Sequence, residues 1–273
     1  MAGALRSTSE GSTLILTLSN PEHRNALGPE IYAAGVEALN AAENNPEIRS
    51  VVITGEGITF CAGADLKRLQ ANRQKPAEVQ AQSIEALHSW VDSVRTFPKP
   101  VIAAVEGAAA GAGFSLALAC DFMVAAENAV FVMAHSTVGL SPDGGGSWAL
   151  ARAMPRTVLA RLLMLSERIT ATQLFTLGLV FAVAPAGNAL SAALQLAEQL
   201  NERAPNVLAS VKDLINDAQV KTLSEQLASE RDHFVKNLHH RNAGEGIEAF
   251  LQKRKPLYFY NRNSAHPVKH EQL

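Results

Sequence analysis

Two short runs of apolar residues constrain the fold of this chain more than any other feature of its sequence. Ser50–Thr54 (SVVIT) and Val101–Val105 (VIAAV) are apolar at successive positions, which is typical of parallel strands covered on both faces. An amphipathic stretch with Pro at its start, Pro29–Glu43, follows a first predicted strand at Thr13–Leu18 and precedes the strand at Ser50–Thr54. The sequence therefore predicts β–α–β units, whose crossovers should be right-handed.

The same alternation continues through the middle of the chain. A second amphipathic helix is predicted at Ile84–Thr96, and short strands are predicted at Asp121–Ala126 and Ala129–Met133. From Leu159 to Leu238 the periodicity is mostly helical. This order predicts an α/β core followed by a helical region.

The domain organisation follows from that order. We expect an α/β core over residues 1–200 and a helical C-terminal region over residues 201–260. The polar residues 261–273 are expected to form a flexible tail.

Composition limits the class of protein. Of the 273 residues, 47% are hydrophobic, and the formal net charge is -2, so neither disorder nor general attraction to nucleic acid is expected. The two cysteines, Cys61 and Cys120, exclude a disulfide framework and favour a reducing compartment. The most apolar stretch, Val101–Ala126, is interrupted by Glu106 and Asp121, and no secretory signal pattern is present. A cytoplasmic protein with no membrane partner is expected.

Two loops rich in glycine and alanine each follow a predicted strand and precede a helix. They are Phe60–Lys67 (FCAGADLK) and Gly107–Gly113 (GAAAGAG). Such junctions direct unpaired backbone N–H groups at one point, so two together could bind an oxyanion or a phosphate. Tight packing of strand against helix is the alternative interpretation of each loop. Neither loop has a nucleotide-binding pattern, and the nucleophile motif G-x-S-x-G is absent from the sequence.

A candidate acid–base group is Asp143, in the segment SPDGGGS. Its carboxylate could shape a turn or cap a helix, or it could be partly buried and transfer protons. His135 precedes it by eight residues and is either structural or part of the same site. The histidines show no pair at ligand spacing beside a carboxylate, so no metal site is predicted.

Five segments together resemble the enoyl-CoA hydratase/isomerase (crotonase) family. They occur in the family's order and at its spacing, over nearly the whole chain except the tail. The segments are NPEHRNAL (Asn20–Leu27), FCAGADLK (Phe60–Lys67), KPVIAAVEGAAAGAGFSLALACD (Lys99–Asp121), VGLSPDGGGSWALAR (Val138–Arg152) and EGIEAFLQKRKP (Glu245–Pro256).

The resemblance implies a crotonase-like fold of repeated ββα units, with a helical C-terminal region that forms a homotrimer or a dimer of trimers. Family members bind an acyl-CoA thioester and stabilise its enolate with two backbone N–H groups, which match the amides of Ala64 and Ala112. Coenzyme A enters as part of the substrate, and no tightly bound cofactor is expected. The positions that match CoA-contacting residues of the family, some of them reached from a neighbouring subunit, are Arg24, Ala62, Asp65, Leu66, Phe250 and Lys253.

Two positions depart from the pattern of a typical hydratase of this family. Ser115 and His135 stand where such hydratases carry two glutamates that activate water. Asp143 instead matches the acidic base of some double-bond isomerases and the nucleophile of the aromatic-CoA dehalogenase branch. The preferred hypothesis is enoyl-CoA isomerisation, with Asp143 as the proton shuttle, Ala64 and Ala112 as the oxyanion hole, and His135 lining the pocket or orienting water. The alternatives are hydration or hydrolysis of an unsaturated or aromatic-derived CoA ester, dehalogenase-like chemistry, and CoA-ester binding without catalysis.

Overall fold

A computed structural model describes residues 3–258 of the chain. Its strands are β1 (Ala4–Glu10), β2 (Thr13–Ser19), β3 (Ser50–Gly55), β4 (Val101–Val105), β5 (Ala108–Ala110), β6 (Phe122–Ala126), β7 (Val130–Val132), β8 (Ile169–Thr170) and β9 (Ala182–Ala184). Its α-helices are α1 (Pro29–Asn44), α2 (Leu66–Asn72), α3 (Ala77–Thr96), α4 (Ala112–Ala119), α5 (Gly146–Ala153), α6 (Arg156–Met164), α7 (Ala171–Thr176), α8 (Ala189–Asn201), α9 (Pro205–Asp217), α10 (Leu223–Leu238) and α11 (Arg241–Leu251). One compact unit ends at Asn201, and a second begins at Glu202.

The first unit is built on a mixed sheet with the strand order β1-β2-β3-β4-β6-β9. The β1 strand pairs with β2 antiparallel, and the remaining neighbours pair in parallel. In this register Val52 lies opposite Ile102, and Ile102 lies opposite Phe122. The α/β class predicted from the sequence is therefore confirmed.

The central strands are buried on both faces. Val51 and Ile53 of β3 belong to the core that contains Trp90 of α3, whereas Val52 between them packs with Leu196 of α8. Each fully buried side chain of this size contributes roughly 1.5–3 kcal/mol. Burial on both faces explains why the sequence of β3 shows no alternation of apolar and polar residues.

The structure adds strands that the sequence pattern did not predict. The β1 strand (ALRSTSE) is mostly exposed, and its order comes from antiparallel pairing with β2, so it carries no apolar signal. Gly107–Gly113 was expected to be a loop, but it contains β5, which pairs with β7 in a second sheet of order β5-β7-β8. The prediction of a loop was wrong there because alanine has little preference for strands, and the partner strand supplies the order.

Helix α3 begins at Ala77, earlier than the predicted start at Ile84. Its first two turns are largely exposed and mainly polar, so the apolar stripe that marks the rest of the helix is absent from them.

The second unit contains α9, α10 and α11. Asn206 links all three helices, because it donates to Asn237 of α10 (2.8 Å) and accepts from Asn242 of α11 (2.7 Å). Asn237 in turn donates to Ser210 of α9 (2.9 Å). The division of the chain into domains at residues 1–200 and 201–260 stays a prediction. The predicted tail at 261–273 lies outside the described residues.

Across residues 3–258, no helix combines the length and the apolar character that a membrane span requires.

Candidate active site

The two loops rich in glycine and alanine lie side by side. They follow β3 and β4, which are neighbouring parallel strands, so both loops leave the same edge of the sheet. The backbone N–H of Cys61 donates to Ala108 (3.0 Å), and the N–H of Ala110 donates to Cys61 (2.8 Å). These bonds fix the first loop against the strand that leads into α4.

The amides of Ala64 and Ala112 are brought close together by this pairing. A Cβ added at Gly63 would lie 3.5 Å from the nitrogen of Ala112 and 2.7 Å from the oxygen of Ala110, so a side chain at position 63 has no room. Within residues 3–258, neither the Ala64 N–H nor the Ala112 N–H donates a hydrogen bond to the protein. An unpaired N–H in a buried position costs roughly 1–3 kcal/mol. Two such donors on adjoining loops are therefore available to an oxyanion.

Asp143 lies on a loop that packs closely against α4. The hydroxyl of Ser115, in the first turn of α4, donates to the backbone oxygen of Asp143 (2.9 Å). Gly144 and Gly145 have φ values of +59° and +78°, and a Cβ added at Gly146 would lie 2.5 Å from Oγ of Ser115. The three glycines are therefore needed for the loop to turn against this helix. The Asp143 carboxylate does not cap α5, whose N-cap residue is Gly145.

The carboxylate of Asp143 contacts the imidazole of His135. Oδ1 of Asp143 and Nε2 of His135 are 3.2 Å apart, and their side chains are only 19% and 10% exposed. With the carboxylate ionised, Nε2 carries the shared proton, so Nδ1 of a neutral ring is an acceptor. Nδ1 is buried and has no partner within residues 3–258. A Cβ added at Gly111 would lie 3.5 Å from Nε2 of His135, which places this pair beside the residue that precedes Ala112.

Tyr32 and Arg68 also lie at this site, and the sequence analysis did not find them. Tyr32, on α1, is buried, and burial raises the pKa of its hydroxyl to about 12. The Arg68 guanidinium lowers that pKa by its charge and by hydrogen bonding, and the charge of Asp143 raises it, so Tyr32 is within hydrogen-bond reach of Arg68 and within electrostatic reach of Asp143. In the sequence, Tyr32 was indistinguishable from the other buried residues on its face of α1. Arg68 directly follows a quoted motif, but nothing in the sequence indicated its burial.

The first four predicted CoA-contacting residues form one connected region. The N–H of Ala62 donates to the oxygen of Arg24 (2.9 Å). Asp65 is the N-cap of α2, where its carboxylate accepts from the N–H groups of Lys67 (2.9 Å) and Arg68 (3.4 Å). Leu66, the next residue, is 57% exposed. The local role of Asp65 is therefore to begin α2, and the contact of these residues with CoA stays a prediction.

The other two predicted contacts are in the second unit. Phe250 of α11 is 83% exposed, and the N–H of Lys253 donates to its oxygen (3.2 Å). Their contact with CoA is also a prediction. In the part of the chain that the structure describes, no group of three or more His, Cys, Asp or Glu side chains could hold a metal ion.

Comparison with known proteins gives consistent matches over most of the chain. Residues 8–261 match the sequence profile described as Enoyl-CoA hydratase/isomerase. The 1,2-epoxyphenylacetyl-CoA isomerase of Escherichia coli K12 is 38% identical over 252 residues, covering 91% of this chain and 95% of the relative. The 2,3-dehydroadipyl-CoA hydratase of the same organism is 38% identical, covering 89% of this chain and 93% of the relative. A crystal structure of an enoyl-CoA hydratase from Polaromonas sp. JS666 is 75% identical with a TM-score of 0.93, covering 94% of this chain and 100% of that one.

Proposed function

The chain belongs to the enoyl-CoA hydratase/isomerase family of acyl-CoA enzymes, and on that basis we propose that it moves a carbon–carbon double bond within an enoyl-CoA thioester. The family and the crotonase-like fold predicted from the sequence are confirmed by the same matches. The proposal depends chiefly on Asp143. Its carboxylate is partly buried, and Ser115 donates to its backbone oxygen from the helix whose first amide, that of Ala112, is unpaired.

The unpaired amides of Ala64 and Ala112 support the first part of the mechanism. When a proton leaves the acyl chain, negative charge moves to the thioester oxygen, and two N–H donors held in place stabilise that charge. One such donor contributes about 2.7–4 kcal/mol to the transition state. Because the donors are backbone groups, the side chains at these positions are not needed for donation. The small alanine side chains leave room for the thioester.

Asp143 supplies the second part. The ionised carboxylate removes a proton from one carbon and becomes a neutral acid, and then it returns that proton to another carbon and is ionised again. His135 holds Oδ1 at 3.2 Å, whereas Oδ2 has no partner within residues 3–258, so Oδ2 is the oxygen that moves the proton. General acid–base catalysis of this kind contributes about 10²–10⁴-fold. The cycle consumes no water and uses no tightly bound cofactor.

Ser115 and His135 support isomerisation over hydration. A serine hydroxyl that already donates to Asp143 cannot take the place of a carboxylate that activates water. Hydration or hydrolysis is the second candidate, and one observation favours it: Nδ1 of His135 is unpartnered in the described part of the chain and could accept a proton from water. Hydration would then require His135 as well as Asp143.

The test is the variant D143N, with D92N as a control that removes an exposed carboxylate from α3. We expect D143N to lose about 10²–10⁴-fold in turnover of enoyl-CoA esters while it binds the unreactive saturated esters like the wild type. Full activity of D143N would exclude Asp143 as the base.

Isotopes separate isomerisation from hydration. In deuterium oxide, isomerisation introduces deuterium into the acyl chain to the extent that the protonated Asp143 exchanges with solvent before it returns the proton. In water labelled with heavy oxygen, the label enters the product only if water is added. Heavy oxygen in the product would overturn the isomerase proposal in favour of hydration.

The assembly is also a proposal. The second unit leaves large apolar side chains exposed within the described residues, among them Ile215 (60%), Phe234 (68%) and Phe250 (83%). Such surfaces are typical of subunit interfaces. They support a homotrimer or a dimer of trimers, in which Phe250 and Lys253 reach the CoA bound to a neighbouring subunit. A cytoplasmic location stays a prediction.

A further inference from the structure

Arg68 is half-buried, and two nitrogens of its guanidinium are buried and unpaired among the described residues. Its Nε and Nη1 atoms are buried, and neither has an acceptor within residues 3–258. No carboxylate of the described residues forms an ion pair with its side chain. The carboxylate of Asp65 accepts from the backbone N–H of Arg68 and does not pair with Nε or Nη1 of its side chain. A buried cation is costly unless an anion and hydrogen-bond acceptors accompany it, so this group requires a partner.

The surroundings of Arg68 indicate where an anionic partner would bind. They lie next to the proposed active site. Ala64, which supplies a candidate oxyanion donor, directly precedes Asp65, the N-cap of the helix that carries Arg68. The Ala64 loop is also held to the segment that leads into α1, because the N–H of Leu27 donates to the oxygen of Gly63 (2.8 Å). The guanidinium is near the Tyr32 hydroxyl, on which the charge of Asp143 also acts. Its Nη1 would lie 3.8 Å from a Cβ added at Gly28. Arg68 therefore lies beside Tyr32, near the loop that carries Ala64.

The other charged group near Gly28 is exposed. Oε2 of Glu30 would lie 3.1 Å from the same added Cβ, but this carboxylate forms no ion pair with Arg68 and faces solvent. A solvated carboxylate does not replace the hydrogen bonds that the buried Nε and Nη1 lack.

We propose that Arg68 binds a carboxylate on the acyl chain, so the preferred substrates are CoA esters of dicarboxylic acids. A guanidinium pairs with a carboxylate through charge-assisted hydrogen bonds, which a neutral acyl chain cannot offer. The phosphates of CoA are separated from the thioester by the pantetheine arm, whereas Arg68 lies beside Tyr32 and Gly28, next to the loop that carries Ala64. The inference rests on the proposed function, because that function places the acyl chain beside Asp143.

The test measures binding alone. Calorimetric titration compares saturated dicarboxylic esters with neutral esters of the same length: succinyl-CoA with butyryl-CoA, glutaryl-CoA with valeryl-CoA, and adipyl-CoA with hexanoyl-CoA. The proteins are the wild type, R68M, R68K and the control R73M, which removes an exposed arginine at the end of the same helix. For at least one chain length, the wild type should bind the dicarboxylic ester about 10- to 100-fold more tightly than its neutral counterpart. R68M should abolish that preference, R68K should keep part of it, and R73M should keep all of it.

Two results would overturn the proposal. One is a wild type with no preference at any chain length, which requires no variant to fold. The other is an equal loss of affinity for both members of a pair in R68M, which would assign Arg68 to the CoA moiety. Because the esters do not react, the preference is measurable even if Asp143 is not the base.

Discussion

Proline at position 112 should remove one N–H of the proposed oxyanion hole while leaving the fold in place. Ala112 is the first residue of α4, a position where proline is favoured because its φ suits a helix start. Its N–H donates to no acceptor within residues 3–258, so no protein hydrogen bond of the described structure is lost. Gly111, the residue before it, has φ +51° and ψ −125°, a conformation that glycine can keep in front of proline.

The expected loss can be worked out from these facts. One oxyanion donor contributes about 2.7–4 kcal/mol, so A112P should lower kcat about 10²–10³-fold. The effect on stability should be small. Proline stabilises a compatible position by roughly 0.4–1 kcal/mol through the unfolded chain. The proline ring must fit into a position where Ala112 is only 1% exposed, and this crowding opposes the stabilisation through the unfolded chain.

The assay is steady-state turnover of an enoyl-CoA ester, together with a thermal melt. A112G is the matched control, because it also changes the side chain but keeps the amide, and its kcat should stay within about threefold of the wild type. A folded A112P whose kcat also stays within threefold would show that the Ala112 N–H does not bind the oxyanion.

Two further predictions concern the support of the site. In S115A, the hydrogen bond from Oγ to the backbone oxygen of Asp143 is lost, so the free energy of unfolding should fall by about 1 kcal/mol. We also expect kcat to fall by a larger factor than KM changes. Urea unfolding and steady-state kinetics measure the two effects, and an unchanged kcat would contradict the prediction. Burial raises the pKa of the Cys61 thiol from 9.0 to about 12 and that of the Tyr32 hydroxyl from 10.0 to about 12. The unfolded chain therefore releases these protons at lower pH than the folded chain, and the free energy of unfolding should fall as pH rises from about 9 towards 12. Urea midpoints across that range should show a shallower decline in C61A, and an identical decline in both proteins would refute the assignment to Cys61.

The sequence could predict the elements whose order comes from their own residues. The consecutive apolar residues of β3 and β4 require burial on both faces, and this requirement is visible without the structure. The β1 and β5 strands could not be predicted in the same way, because partner strands supply their hydrogen bonds while their own residues are polar or alanine.

The residues of the candidate site also differ in whether the sequence could predict them. Ala64, Ala112 and Asp143 lie in segments that resemble the family, so the sequence was sufficient to propose them. The contact of Tyr32 with Arg68, and the charge of Asp143 that acts on Tyr32, depend on tertiary structure, because these residues lie on α1, on α2 and on a loop far along the chain. Helical periodicity could place Tyr32 on a buried face of α1, but it could not show which charges that face would meet.

Asp143 as the base and a glutamate at position 115 are mutually exclusive in this structure. The Gly144–Gly146 turn packs so closely on α4 that a Cβ added at Gly146 would lie 2.5 Å from Oγ of Ser115. A glutamate at position 115 needs space that this turn occupies, and its ionised carboxylate could not donate to the Asp143 oxygen as the serine does. It would also place a second negative charge beside Asp143, which raises the free energy of two ionised carboxylates in a partly buried site. The small hydroxyl at position 115 is therefore a requirement of an active site built around Asp143, and the missing glutamate need not signify a loss of catalysis.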